Sequence, residues 1–229
     1  MKTIVVADIH GCSREFSAVL KKAGMDREED RLIVLGDLFD RGASSYEVFR
    51  FVRKLSEEMK DRFVLVRGNH DQFLLDYVDR KIGAQLWALN GGLKTIESFK
   101  KHGEGIEEAA DLLRETPLYY ECEEFIGVHA GLVSEHPEEN DPEILLWDRS
   151  VTYGSYSGRF AVGGHTPMKA PFWFMPDGTP AELDYEVEYS LPDRGFLCID
   201  TGCVFGRHLT AFVLEGEKYR LVSMKKLAY

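Results

Sequence analysis

The chain has 229 residues, of which 44% are hydrophobic, and this suits one sizeable domain over residues 1–229 better than two full domains. Its 28 basic and 39 acidic side chains give a formal net charge of −11, which argues against general binding to nucleic acids or anionic membranes. The sequence has neither a signal-like apolar segment nor a run of transmembrane length, so we expect a cytoplasmic protein.

The first half of the chain alternates predicted strands and helices. Apolar, β-branched runs at residues 1–7, 32–35 and 63–66 are typical of buried strands, and a helical pattern follows each of them. Ser44 and Glu47 have the spacing of a capping box, so we expect the second helix to begin there. The alternation predicts βαβ units and an α/β (α+β) fold.

The rest of the chain changes period twice. Residues from about 84 to 116 have a helical pattern broken by Asn90-Gly91-Gly92, which predicts a small helical cap. Strands then return, and the last two, at 209–214 and 219–227, predict a terminal hairpin. The stretch from about 167 to 194 is rich in proline, aromatic and acidic residues, and it predicts a surface excursion between two core strands.

The four cysteines are predicted to be free thiols. No CxxC pair or other zinc-ligand spacing relates them, and disulfides are unusual in a cytoplasmic protein. Cys12 and Cys203 flank motifs described below, but proximity in sequence assigns them no role.

Six apolar runs end in a polar cluster with an adjoining glycine. Burying unpaired charge is costly, so side chains such as Asp37 and Asp40 do not serve a core. The carboxyl edge of a parallel sheet is where α/β proteins bind ligands, and we therefore expect these strand ends to meet at one site. The candidate metal ligands there are Asp8, His10, Asp37, Asn69, His129 and His165.

This set of side chains predicts a centre of two metal ions. Carboxylate, imidazole and amide ligands suit first-row divalent ions such as manganese, iron or zinc. Six ligands exceed what one catalytic ion needs, whereas two ions about 3.5–4 Å apart with one carboxylate between them fit the number. The first ion would use Asp8, His10 and Asp37. The second would share Asp37 and add Asn69, His129 and His165.

The same strand ends carry groups suited to phosphoester hydrolysis. Two metals can supply hydroxide near neutral pH for in-line attack on phosphorus. His70 would give the leaving oxygen a proton if Asp40 orients its imidazole. Arginine grips the oxygens of a phosphoryl group in bidentate fashion. The candidate phosphate-binding residues are Arg41, Arg67, Asn69 and Arg149, although a surface ion pair accounts for Arg149 equally well.

Each motif also has a plain structural interpretation. A lone Asp8-Ile9-His10-Gly11 is in most cases a turn with a helix cap, and a lone His129 or His165 is more often a hydrogen-bonded structural residue than a ligand. Four of the seven histidines, however, stand in glycine-flanked strand ends. This joint occurrence favours a metal site.

Five segments resemble, in order, the signature blocks of the calcineurin-like metallophosphoesterases. Within that family the chain is most similar to the phosphoprotein phosphatase group, especially the lambda-type serine/threonine protein phosphatases of bacteria and phages and the symmetrical diadenosine tetraphosphatases. Leu89-Asn90-Gly91-Gly92 also looks like a lambda-type segment, and Asp71 stands where the family usually has glutamate. The five segments are Asp8-Ile9-His10-Gly11, Gly36-Asp37-Leu38-Phe39-Asp40-Arg41-Gly42, Gly68-Asn69-His70-Asp71, His129-Ala130-Gly131 and Gly164-His165-Thr166.

The resemblance implies a central β-sandwich with βαβ units flanked by helices, and two metal ions that are often manganese in bacterial members. The family's ligand roles fall on the six candidates given above. Its acid pair falls on His70 and Asp40, and its phosphate-binding arginines fall on Arg41 and Arg149. Arg67 matches an arginine that commonly precedes the Gly-Asn-His block.

Three functions are compatible with these residues. The leading expectation is a phosphomonoesterase that acts on phosphoserine or phosphothreonine in proteins by attack of metal-bound hydroxide. The alternative is hydrolysis of symmetrical dinucleoside tetraphosphates or another small nucleotide. A third is a metal-bound scaffold without catalysis, for which Asp40, Arg41 and His70 would have no use. The expected partner is a phosphoprotein or a small phosphorylated molecule, not a nucleic acid or a membrane.

Overall fold

Two six-stranded mixed sheets form the centre of the fold in the computed structural model, which describes residues 1–228. The strands are β1 (Thr3–Val6), β2 (Arg31–Val34), β3 (Phe63–Leu65), β4 (Tyr119–Glu121), β5 (Ile126–Val128), β6 (Ala161–Gly163), β7 (Phe172–Phe174), β8 (Pro180–Glu182), β9 (Glu188–Ser190), β10 (Phe196–Cys198), β11 (His208–Glu215) and β12 (Lys218–Lys225). The first sheet has the order β3-β2-β1-β11-β12-β9 and the second β4-β5-β6-β10-β7-β8. The implied β-sandwich is confirmed.

Helices cover the outer faces of this sandwich, and within residues 1–228 there are seven α-helices. They are α1 (Ser13–Lys22), α2 (Ser45–Met59), α3 (Asn69–Val78), α4 (Ala84–Leu89), α5 (Gly92–Lys101), α6 (Glu107–Arg114) and α7 (Pro142–Trp147). The first two cross between parallel strands, as the βαβ prediction requires, and α4 to α6 fill the predicted helical stretch. No helix among the described residues is both long and apolar enough to cross a membrane.

Parallel pairing brings the carboxyl ends of two sets of strands together. In the first sheet β1, β2 and β3 are parallel and in register, with Val6 opposite Val34 and Val34 opposite Leu65. In the second sheet β5, β6 and β10 are parallel. Parallel strands in register end at the same edge. Each set therefore delivers the residues that follow its strands to one place.

The hydrophobic residues of the strands divide between two interiors. Along β1, Ile4 and Val6 pack among the helices, whereas Val5 lies between the two sheets. This alternation follows from the two-residue period of a strand. At the centre of the inter-sheet core, the ring centroid of Phe212 lies 5.7 Å from that of Phe125 and 5.1 Å from that of Tyr219.

The prediction of a capping box at the start of α2 is wrong. Ser44 is the N-cap residue, but its side chain makes no cap hydrogen bond. Its backbone N–H donates instead to the carbonyl of Gly11 at 3.3 Å. Glu47 contacts His102, with 3.2 Å between Oε1 and Nε2. Ser44 and Glu47 therefore contact residues distant in sequence and not the backbone groups of a capping box.

Residues 167–194 lie between β6 and β10 and contain three short strands, which the sequence pattern did not predict. β7 and β8 extend the second sheet beyond β10, and β9 pairs with β12 at the edge of the first. Glu186 forms ion pairs with Lys22 at 3.0 Å and Arg220 at 3.2 Å. Lys22 ends α1, far from the carboxyl end of β1. This acid therefore lies away from the strand ends that carry the candidate site.

The four cysteines are free thiols, as predicted. Cys12 is buried beside Lys226, whose Nζ lies 3.4 Å from Sγ and 3.3 Å from Oε1 of Glu15. The same carboxylate oxygen accepts a hydrogen bond from the N–H of Leu227 at 2.9 Å. These contacts join the end of the chain to α1.

The Phe212→Ala substitution tests the inter-sheet core. Removal of this fully buried ring leaves a cavity, so we expect the free energy of unfolding to fall by about 3–5 kcal/mol. Urea denaturation followed by circular dichroism measures the change. Val133→Ala is the control, because Val133 is 70% exposed and should change stability by less than about 0.5 kcal/mol. A similar small loss for Phe212→Ala would contradict this account of the core.

Candidate active site

Two sets of three parallel strands, one in each sheet, are followed by buried polar residues that meet at one point. Asp8, Asp37 and Asn69 follow β1, β2 and β3, whereas His129 and His165 follow β5 and β6. The backbone N–H of His165 donates to both oxygens of Asp8, at 3.1 and 3.0 Å, and so joins the two sheets. Asp200 follows the sixth strand, β10. It is not among the predicted site residues, although it also stands in a polar cluster with a glycine at the end of an apolar run.

Asp37 lies between two groups of histidines. Its Oδ2 is 3.3 Å from Nε2 of His10, and its Oδ1 is 3.5 Å from Nε2 of His129. The ligand atoms of His10, Asp37 and His70 lie within 4.8 Å of one another, and so do those of Asp37, His129 and His165. One carboxylate is thus shared by two sets of atoms that are positioned for divalent metal ions.

The protonation state of the histidines favours the binding of a metal cation. Nδ1 of His10 lies 2.7 Å from the Phe39 carbonyl, and Nδ1 of His129 lies 2.9 Å from the Leu35 carbonyl. Because a carbonyl only accepts, each Nδ1 carries the proton and each Nε2 presents a lone pair. Burial lowers the pKa of His10 to about 3 and that of His165 to about 2, so both rings are neutral at pH 7.

Three acceptor atoms converge beside Asp37. Nε2 of His129 lies 2.9 Å from Oδ1 of Asn69 and 3.2 Å from Nδ1 of His165, and the latter lies 3.0 Å from the same oxygen. Amide oxygen and imidazole nitrogen are common ligands of first-row divalent ions. These three atoms, together with Asp37, could therefore hold a divalent metal ion.

The buried carboxylates at the site repel one another, and nearby positive charge would stabilise them. Burial, followed by the charges of Asp200 and Asp37, raises the pKa of Asp8 well above its usual range. Burial would raise the pKa of Asp37 too, but the nearby histidines hold it below its usual range. Burial raises the pKa of Asp200 to about 6. Divalent cations at this point would offset the repulsion among these three buried acids.

The two predicted members of the acid pair are in contact. Nδ1 of His70 lies 2.8 Å from Oδ2 of Asp40, and both side chains are buried. The His70 ring meets that of His10 edge to face, with centroids 4.9 Å apart. Its other ring nitrogen therefore stays available beside the candidate ligand groups.

Two of the three candidate arginines lie at the site. Nη1 of Arg41 is 2.7 Å from Nε2 of His10, and the guanidinium stacks over the Phe205 ring at 5.6 Å. Because that Nε2 has one lone pair, a metal on it would displace Arg41. Arg149 donates to the His165 carbonyl at 2.9 Å and to Oγ1 of Thr166 at 3.1 Å. The surface ion pair that the sequence allowed for Arg149 is absent from the described contacts.

The contacts of Arg67 do not support its predicted phosphate-binding role. Its Nε donates to Oγ1 of Thr116 at 3.1 Å, and its Nη1 donates to Oε1 of Gln72 at 3.0 Å. Its Nη2 donates to the carbonyls of Leu113 and Thr116 at 3.0 Å each. All three nitrogens are thus engaged at the end of α6 and on α3, where they tie the end of β3 to these helices.

Asp71 holds the Asp37 turn, a role that sequence reasoning missed. Its carboxylate accepts backbone N–H groups from Asp37 at 2.8 Å, Leu38 at 3.0 Å and Gly68 at 3.0 Å. The N–H of His70 in turn donates to Oδ1 of Asp37 at 2.9 Å. The departure from glutamate at position 71 was the available signal.

The backbone at the site is strained. Within residues 1–228, nine non-glycine residues have a positive φ. Such conformations cost on the order of 1–3 kcal/mol each and cluster at functional sites. Six of the nine are candidate site residues, namely Asp8, His10, Asp37, Asp40, Arg41 and His165.

A family model described as calcineurin-like phosphoesterase matches residues 1–183. The chain belongs to this family, and it is a metal-dependent phosphoesterase. The family and the geometry agree, because the chain has buried His and Asp side chains positioned to hold divalent metal ions.

Several proteins are similar to the chain over most of its length. The symmetrical bis(5'-nucleosyl)-tetraphosphatase of Aromatoleum aromaticum is 37% identical and covers 95% of each chain. The asymmetrical bis(5'-nucleosyl)-tetraphosphatase PrpE of Bacillus subtilis is 30% identical and covers 91% of this chain and 88% of its own. A protein serine/threonine phosphatase from Saccharomyces cerevisiae has a similar fold, with a TM-score of 0.66, 15% identity, and coverage of 100% and 80%.

The Gly36→Ala substitution tests the support of Asp37. Gly36 has a φ of +78°, and a Cβ there would meet the backbone N of Gly68 at 2.2 Å. We expect the free energy of unfolding to fall by more than about 1 kcal/mol. We also expect Mn²⁺ affinity, measured by isothermal titration calorimetry, to weaken by about tenfold or more. Gly83→Ala is the matched control, because a Cβ at Gly83 has no neighbour within 4 Å. Equal affinities for the two variants would contradict the role of this close approach.

Proposed function

We propose that the protein is a dinucleoside tetraphosphatase that requires two divalent metal ions, with manganese as the native ion. The observation that carries the metal chemistry is the Asp37 carboxylate shared between two histidine groups. The substrate rests on the relatives named bis(5'-nucleosyl)-tetraphosphatase, which align with nearly the whole chain. This substrate replaces the phosphoprotein that the sequence had led us to expect.

In this proposal Asp8, His10 and Asp37 would hold the first ion, and Asp37, Asn69, His129 and His165 would hold the second. Bound ions would neutralise the buried carboxylates and polarise water and phosphate oxygens at the site. Neutral imidazoles favour such binding, because no proton has to leave them first.

The remaining polar residues would bind the phosphate chain and supply a proton. Arg41 and Arg149 present guanidinium groups on either side of the ligand cluster, beside His10 and His165, and would hold the phosphoryl oxygens. Asn69 would contribute its amide N–H. His70, oriented by Asp40, would protonate the leaving oxygen.

Exposed aromatic rings beside the site support a nucleotide substrate. Phe205 is 58% exposed and lies against Arg41, and Trp147 is 38% exposed with its ring centroid 6.1 Å from that of His165. Base stacking on an aromatic face contributes about 1–3 kcal/mol per base and tolerates any base. A dinucleoside tetraphosphate has one base at each end of its phosphate chain, so one base would stack on each of these two rings.

A serine/threonine phosphatase is the second candidate, and the buried acid pair favours it. An alkoxide from serine or threonine is a poor leaving group and needs a proton, whereas a nucleoside diphosphate leaves more readily. Nδ1 of His70 lies 2.8 Å from Oδ2 of Asp40, and this pair would supply the proton that the alkoxide needs. A metal-bound scaffold without catalysis has no need of that pair.

The deciding experiment compares three substrates. Diadenosine tetraphosphate, a phosphothreonine peptide and p-nitrophenyl phosphate are incubated with the Mn²⁺-loaded protein and, separately, with protein treated with a chelator. We expect manganese-dependent cleavage of the dinucleotide, and chromatography of the products identifies the bond that is cut. Two molecules of ADP mean symmetrical cleavage, whereas ATP and AMP mean asymmetrical cleavage. Release of phosphate from the peptide alone would select the second candidate.

The Asp37→Asn substitution tests the shared ligand. Loss of the carboxylate charge between the two sites should release both ions, so we expect metal content measured by atomic absorption to fall from about two ions per chain to fewer than one. Asp61→Asn removes an equal charge at an exposed position and should retain both ions. A chain that keeps two ions after Asp37→Asn would refute the bridging role.

A further inference from the structure

Two residues of the helical cap enclose the carboxylate of Asp40. The indole N–H of Trp87, on α4, donates to Oδ2 at 2.9 Å, and the hydroxyl of Thr95, on α5, donates to Oδ1 at 2.7 Å. The N–H of Asp40 donates back to Oγ1 of Thr95 at 2.9 Å. With Nδ1 of His70 also on Oδ2, both oxygens have partners and the carboxylate is 0% exposed.

The Asn90-Gly91-Gly92 turn allows this approach. A Cβ at Gly92 would lie 2.4 Å from the Trp87 ring, so only glycine lets the indole reach Asp40. Gly91 has a φ of +100°, and its carbonyl accepts the N–H of Arg41 at 3.2 Å. The glycines that break the helical pattern thus connect the cap to the neighbouring residues Asp40 and Arg41.

We propose that Trp87 and Thr95 are positioning residues for the proton donor. They fix both oxygens of Asp40, and Asp40 then fixes the ring of His70 so that its other nitrogen faces the leaving oxygen. The inference rests on the proposed role of His70 as the acid, and it does not depend on which phosphoester is the natural substrate. The cap formed by α4 and α5 is accordingly part of the catalytic apparatus.

A purely structural role predicts something different. A buried indole usually finds a partner for its N–H, and Asp40 could merely satisfy Trp87. Loss of that bond would then lower stability and all activities alike. A positioning role instead predicts a loss that grows as the leaving group becomes poorer, because a good leaving group needs no proton.

The test uses the full-length, Mn²⁺-loaded protein with p-nitrophenyl phosphate and phenyl phosphate, which has the poorer leaving group. Trp87→Phe retains the ring and removes the N–H, and Thr95→Val retains the shape and removes the hydroxyl. We expect kcat for phenyl phosphate to fall by at least about tenfold, with kcat for p-nitrophenyl phosphate and both KM values within about twofold of the unmodified protein. Thr95→Ser, which restores the hydroxyl, should recover the loss.

Two further variants separate positioning from packing. Gly92→Ala should reproduce the leaving-group dependence of Trp87→Phe, because its methyl group displaces the indole. Phe99→Leu loosens the buried packing of α5 without contacting Asp40, so it should lower the melting temperature and leave the ratio of the two kcat values unchanged. In metal-free protein, the Nδ1 proton resonance of His70 should shift in Trp87→Phe and stay in place in Phe99→Leu.

His70→Asn distinguishes the possible failures. If His70 is the acid, His70→Asn shows the same leaving-group dependence, and adding Trp87→Phe to it changes the ratio no further. Equal loss on both substrates in Trp87→Phe and Thr95→Val, or no loss, would overturn the positioning role. No leaving-group effect in His70→Asn itself would overturn the acid assignment on which the inference rests. Failure to cleave diadenosine tetraphosphate would reject only the proposed substrate.

Discussion

The burial of several carboxylates and imidazoles at one point is the constraint on which the rest of the structure depends. Burial raises the pKa values of Asp8 and Asp200, whereas the histidines around Asp37 hold its pKa below the usual range. Such a cluster is compatible with a folded protein only when cations and rigid surroundings offset its cost. Divalent metal ions held by the clustered His and Asp side chains would supply that charge.

The surroundings supply the rigidity. Parallel strands in register place the residues after β1, β2 and β3 side by side, and Asp71 then clamps the turns with three backbone hydrogen bonds. Close contact between Gly36 and Gly68 leaves no room for side chains between the two turns. The inter-sheet core around Phe212 provides the stable platform on which strained backbone conformations persist.

Residues outside the ligand cluster border the site from different parts of the fold. Trp87 and Thr95 reach Asp40 from one side, whereas Phe205 and Trp147 present aromatic surface beside the guanidinium and histidine groups. The relatives that align with most of this chain act, by their names, on dinucleoside tetraphosphates, while the more distant serine/threonine phosphatase shares only the fold. The difference between these substrates must lie in such surrounding residues, because the ligand cluster supplies chemistry that both reactions need.

The sequence by itself determined the βαβ units, the terminal hairpin and the residues that gather at the strand ends, because hydrophobic period and strand-end composition are local properties. It did not reveal the strands within 167–194, the true partners of Ser44 and Glu47, or the contacts that occupy Arg67. Nor did it reveal that Asp71, Trp87 and Thr95 support the site. These features depend mainly on groups that lie far apart in the sequence, and only the packing of sheets and helices decides which of them come within hydrogen-bonding distance.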